Sequence, residues 1–182
     1  MMISITVTGK DRPGIVAALS GSVLNAGGNL EDTSMTILEG EFAMILLASL
    51  KSEAAFKGLQ KSLQFLRERL GLSIALRPVR RKLVRGEKHR SNTDRWVVSV
   101  LGKDRSGIVF GVCQVFAKHH VNITDLNSRI IGSRSKASYA LIIEVDLPRK
   151  PLIRKGIEKA FQQLEKKLQV GIEFHALDAG NF

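Results

Sequence analysis

The segment Gly9-Lys10-Asp11-Arg12-Pro13-Gly14-Ile15-Val16 combines the features a chain needs to hold a small charged molecule: a glycine turn, a carboxylate and the expected start of an apolar helix. A helix N-terminus leaves N–H groups without partners and carries partial positive charge, so it suits a carboxylate or a phosphate. Asp11 offers the opposite charge to an ammonium group, or else it caps the helix. Gly14 has no Cβ, which lets a ligand or a neighbouring backbone come close. Asn29, whose amide both donates and accepts, is expected at the start of the second strand, taken here as the neighbour of the first. A turn with free donors beside an Asp and an Asn suits a zwitterionic amino acid. From spacing alone the plainer account, an N-cap at Asp11 and a turn residue at Asn29, has the better claim, because caps and turns are common.

The octet returns 93 positions later as Gly102-Lys103-Asp104-Arg105-Ser106-Gly107-Ile108-Val109, with only Pro13 changed, to Ser106. Asn29 maps to Asn122 and Asp32 to Asp125 in the same register. The chain is one small module written twice. Two backbone-lined concavities without an evident nucleophile point to binding rather than catalysis. Cys113 falls in a helix at the position of Ser20 and reads as a small packed residue. His119 and His120 are adjacent, so they point different ways on a helix and serve its C-terminus as cations better than a metal. His89 lies in the connector and His175 in the last strand. There is no Ser/His/Asp ordering, no CxxC and no Walker-type loop. The expectation is a non-enzyme with no catalytic residues, no metal and no cofactor.

Periodicity supplies the elements that position these groups. Ile3, Ile5 and Val7 alternate with Ser4, Thr6 and Thr8 as in a half-buried strand. Pro13 fits the first turn of a helix whose stripe is Ile15, Val16, Leu19 and Val23, ended by Gly27-Gly28. Leu30 to Leu38 and Glu41 to Leu50 read as strands joined at Glu39-Gly40. Phe56, Leu59, Leu63, Leu66 and Leu70 mark a second helix, and Leu72, Ile74 and Leu76 a last strand. The second copy repeats this order, with four extra residues in its hairpin around Gly132 to Lys136. The fold class is α+β: two ferredoxin-like βαββαβ modules packed side by side, antiparallel sheets with helices on one face, extending to one continuous eight-stranded sheet. The predicted boundaries are 1–80 for the first module, 81–93 for a basic linker and 94–182 for the second. Exposed edge strands give a reason for such pairing and for a homodimer.

The net charge of +11 is unevenly placed. Residues 1–76 are neutral, residues 77–95 carry +6 and residues 96–182 carry +5. Such a field favours an acidic protein surface, nucleic acid or anionic lipid. Arg77 to Arg90 has no interleaved aromatics and no accompanying reading element, which speaks against direct DNA contact and fits an acidic protein partner better. The longest apolar run, Phe42 to Leu50, is too short for a bilayer, no basic n-region precedes the first strand, and the single Cys113 fits a reducing compartment. A cytoplasmic protein without a membrane partner is expected.

G-x-D-R-P-G-I-V, an apolar helix and then G-G-N-L-E-D resemble the ACT domain, a ligand-sensing ferredoxin-like module. Two copies filling nearly the whole chain resemble the glycine cleavage system transcriptional repressor family, whose first-copy pattern Asp11 to Val16, Asn29 to Asp32 and Gly40 to Phe42 follow. The sensor of formyltetrahydrofolate deformylase is similar in the first turn, without its catalytic domain here. The resemblance implies an amino-acid site between two modules, built from Asp11, Pro13, Gly14 and Asn29 in copy one and Asp104, Gly107 and Asn122 in copy two. It tips the balance from cap to ligand. Copy two departs at Ser106 and at His119-His120, so its pocket is expected to be altered or empty. The implied effector is a small amino acid such as glycine or serine. The implied role is an indirect transcriptional regulator of glycine and one-carbon metabolism acting through a protein partner such as a transcription factor. A direct nucleic-acid-binding regulator and a regulatory subunit of a metabolic enzyme are the alternatives.

Overall fold

A computed structural model describes residues 1–80, 89, 91–132 and 137–177. The chain divides into two compact units, Met1–Glu87 and Lys88–Phe182. The first contains β1 (Met2–Lys10), α1 (Ile15–Asn25), β2 (Asn29–Leu38), β3 (Glu41–Ser49), α2 (Glu53–Leu70) and β4 (Ser73–Pro78). The second contains β5 (Thr93–Gly102), α3 (Ile108–Lys118), β6 (Asn122–Ile131), β7 (Ser138–Pro148), α4 (Pro151–Leu168) and β8 (Val170–Ala176).

The strands form two separate antiparallel sheets, ordered β2-β3-β1-β4 and β6-β7-β5-β8, and not the continuous eight-stranded sheet expected from sequence. A second expectation also fails. The start of β2 is not beside β1, because α1 carries the chain past one strand position and β3 fills the gap. That is the split of a split βαβ unit.

Alternation along β1 buries Ile3, Ile5 and Val7, and β3 buries Phe42, Met44, Leu46 and Ala48 on the same face. Ile15, Leu19 and Val23 of α1 and Leu59, Leu63 and Leu66 of α2 close over them as one core. Val16, read as part of the stripe, is 41% exposed. The second core is built on the same plan but is more aromatic: Phe116 meets Phe161 edge-on at 5.4 Å between ring centres, and Phe174 joins both. The hairpin β2–β3 turns at Glu39 and Gly40, both at positive φ (50° and 82°), the pattern of a two-residue type I′ turn whose twist matches the strands. The corresponding β6–β7 insertion, with Arg134 and Lys136, and most of the basic linker lie outside the described residues.

Both first helices end alike. In α1 the Gly28 N–H donates to Val23 O at 3.0 Å with Gly27 left-handed, a Schellman arrangement. In α3 the Val121 N–H donates to Phe116 O at 3.0 Å with His120 in the left-handed position (φ 55°). An L-residue there costs roughly 1–2 kcal/mol that glycine does not.

Candidate functional site

The duplicated octet forms the same turn twice. Gly14 has φ 91° and ψ −7°, and Gly107 has φ 94° and ψ 0°. These are the angles of the third residue of a type II turn, with Pro13 or Ser106 second. Pro13 therefore presets the turn that precedes α1, rather than the first turn of the helix itself. Glycine is needed for its backbone angle: a Cβ on Gly14 or Gly107 would meet nothing within 4 Å. The space above each turn is open, and no neighbouring backbone fills it.

Neither aspartate is a cap. No side chain accepts a hydrogen bond at the N-cap of α1 or α3. Instead, the Asp11 main-chain N–H donates to Gly40 O at 2.8 Å, tying the turn to the β2–β3 hairpin. Its carboxylate has no partner among the described residues and stays available. The Gly14 carbonyl accepts from Ala18 N at 2.9 Å, so α1 begins at once. The Val16 and Ala17 N–H groups are left without acceptors among the described residues. Copy two repeats this, with Gly111 N donating to Gly107 O at 2.8 Å. There Arg105 is drawn aside to Gln169 Oε1 at 2.8 Å. Each turn thus pairs free helix donors, for a carboxylate, with an unpartnered aspartate, for an ammonium.

Asn29 lies elsewhere. It pairs with Ser49, which pairs with Met2, whereas Asp11 follows Lys10, which pairs with Glu41. The two are therefore at opposite ends of β3, about 26 Å apart at roughly 3.3 Å per residue. One small molecule cannot touch both within a unit, and the same register separates Asp104 from Asn122. Asn29 Nδ2 donates to Glu31 Oε1 at 3.2 Å, and Ser49 Oγ donates to the same oxygen at 2.7 Å. Asn29 also borders a cavity of about 380 Å³ against α1, walled by Ala17, Ser20, Gly21, Leu24 and Leu30.

Sequence reasoning missed the chemistry around Asp146. This carboxylate is fully buried, and His89 Nδ1 sits 2.8 Å from its Oδ1. The signal was in the register: Asn122 faces Asp146 where Asn29 faces Ser49, so a buried carboxylate stands where the first copy has a half-buried hydroxyl. Cys113 is half-buried, and burial pushes its thiol pKa up, the wrong direction for a nucleophile. No group of three metal-ligating side chains occurs among the described residues. No described helix is long and apolar enough to cross a membrane.

Residues 1–77 match the family of ACT domains termed ACT_6, and residues 96–166 match the ACT domain itself. The chain belongs to the ACT-domain family. A UPF0237 protein of Methanopyrus kandleri is 39% identical over 71 residues, 38% of this chain and 79% of that protein. The glycine cleavage system transcriptional repressor of Escherichia coli is 29% identical over 141 residues, 78% of this chain and 71% of that one. A protein from Galdieria sulphuraria shares the fold across 97% of this chain and 98% of its own, with a TM-score of 0.77 at 26% identity. The tandem arrangement is thus a shared architecture. The chain is similar to a transcriptional repressor of this kind and contains two ACT domains.

Proposed function

We propose that this ACT pair senses a small amino acid, glycine or serine in kind, and regulates glycine and one-carbon metabolism indirectly, through a protein partner such as a transcription factor. The observation that carries the reading is the turn: twice, free N–H groups at a helix start stand beside an aspartate that caps nothing. The N–H groups take the carboxylate and Asp11 takes the ammonium. The similarity to the E. coli repressor supports the regulatory role and the metabolic area. Because Asp11 and Asn29 are far apart within a unit, a ligand held by both takes the turn from one module and the strand start from another. A homodimer is one way to bring two modules together. Regulation without catalysis and a site in the cell interior belong to the same reading.

A thermal-shift panel of the common amino acids tests it. Glycine or serine at 100 times its dissociation constant is expected to add about 2.7 kcal/mol of stability. Asp11→Ala is expected to abolish the shift and Asp104→Ala to weaken it less. Full shifts in both variants would remove the turns from the site. A shift lost in Asp11→Ala but kept in Asn29→Ala would place the ligand on the turn alone.

A further inference from the structure

The second unit carries a cavity of about 270 Å³ at the start of α4, at the end of β5 opposite its own turn. Trp96, Pro151, Asp94 and three cations, Arg149, Lys150 and Arg154, are among the residues that line it. We propose that this cavity binds the phosphate group of a phosphorylated small molecule.

Charge placement is the first support. Asp94 is the only carboxylate among the described residues of the lining, and it accepts from Arg149 Nε at 2.8 Å. Arg154 pairs with Glu158 on its own helix at 3.5 Å, with both side chains nearly half exposed, and its guanidinium lies over the Trp96 ring at 5.9 Å, so the ion pair holds it weakly and leaves it at the cavity. Lys150 has no partner among the described residues. The described residues of the lining carry an excess of two positive charges, which matches a phosphomonoester near neutral pH; a lone carboxylate would leave one uncompensated.

The other copy shows what stability alone selects at this position. There α2 starts at Ser52, whose Oγ accepts from Ala55 N at 3.1 Å, with Glu53 in the first turn. In α4 the N-cap is Lys150, no side chain accepts, and no acid stands in the first turn. Cations at the positive end of a helix are unfavourable, so this cluster works against the helix unless an anion joins it. The contacts come from the side chains: Pro151 has no N–H, and that of Ile153 is spent on Lys150 O at 3.0 Å. Arginine forks match phosphate oxygens in pairs, and lysine adds a point charge. Beside them the Trp96 indole, tilted against Phe174 at 4.7 Å between ring centres, and the Pro151 ring give an apolar wall for the organic part.

Trp96 is the sole tryptophan of the chain, so its emission reports on this cavity directly. The 182-residue chain is titrated with pyrophosphate and with adenosine monophosphate at roughly physiological ionic strength. A saturable change is expected for both, with the dissociation constant raised about tenfold in each of Arg149→Ala, Lys150→Ala and Arg154→Ala. Lys51→Ala, the equivalent loop cation of the first unit, is expected to leave it unchanged. All four positions are exposed, and circular dichroism of the variants is expected to match the parent. No saturable response up to roughly ten millimolar would overturn the proposal. Unchanged affinity in the three cavity variants would do the same. A response to duplex DNA alone, falling steeply with salt, would replace the small-molecule site with a nucleic-acid face.

Discussion

Glu31 and Thr124 occupy the same bulge, in β2 and β6, yet only one of them is charged. In the first unit the carboxylate stands on the edge strand and gathers Asn29 and Ser49. In the second the hydroxyl stands there, Thr124 Oγ1 is buried without a partner among the described residues, and the carboxylate has crossed to β7 as Asp146. Backbone features survived duplication: the bulge, the type II turn and the left-handed residue after the first helix. Side-chain chemistry moved between strands. A carboxylate shifted inward is costly unless charge or hydrogen bonds follow it, and His89, from the connector, has followed. The second copy has thus recruited the linker into its fold, whereas the first satisfies its polar groups locally.

The largest expected difference between the copies lies in their cores. Phe116 is fully buried where the first unit has Val23. Phe116→Ala is expected to cost about 3–5 kcal/mol, and Val23→Ala about 2 kcal/mol. Denaturant unfolding followed by Trp96 reads the second unit, and amide exchange in α1 and β3 reads the first. Equal costs would mean that the aromatic cluster relaxes around its cavity, and that the two cores are energetically alike.

Next comes the migrated carboxylate. His89→Ala removes a hydrogen bond to a buried charged group and is expected to cost about 1.5–3 kcal/mol. Ser49→Ala, in the equivalent slot, removes one donor to the more exposed Glu31, which keeps Asn29, and is expected to cost about 1 kcal/mol. Chemical denaturation of both variants measures the pair. A neutral His89→Ala would show that Asp146 is satisfied by its other contacts and that the connector is not anchored through it.

How much of this was legible beforehand follows from the range of each signal. Ile3, Ile5 and Val7 announced their strand because alternation is local, and Glu39-Gly40 announced its hairpin because the turn demands two positive φ angles. Strand order was harder. Nothing in residues 29–38 says that β2 pairs with β3 alone, and assuming contact with β1 put Asn29 beside Asp11 when it stands at the far end of the sheet. Asp11 was found as a candidate, but its freedom from capping was not, since that depends on the helix starting at Ile15 behind a left-handed Gly14. Asp146 and His89 are 57 positions apart, and only the fold brings them together. The cationic start of α4 could have been found by laying Arg149-Lys150-Pro151 over the second helix start of copy one, Ser52-Glu53.

The smallest expected effect bears on the ligand turn. Ser106 is the second residue of a type II turn, where φ near −65° suits proline, and its N–H has no acceptor among the described residues. Ser106→Pro is therefore expected to stabilise the second unit by about 0.4–1 kcal/mol by narrowing the unfolded ensemble, and Pro13→Ser to cost the first unit as much. Reciprocal shifts, read through Trp96 for the one and amide exchange for the other, would show that the two turns share one backbone and differ only in preorganisation. A destabilising Ser106→Pro would show instead that copy two uses that N–H. It would then have a donor the first copy lacks, and its site would take its ligand in a different way.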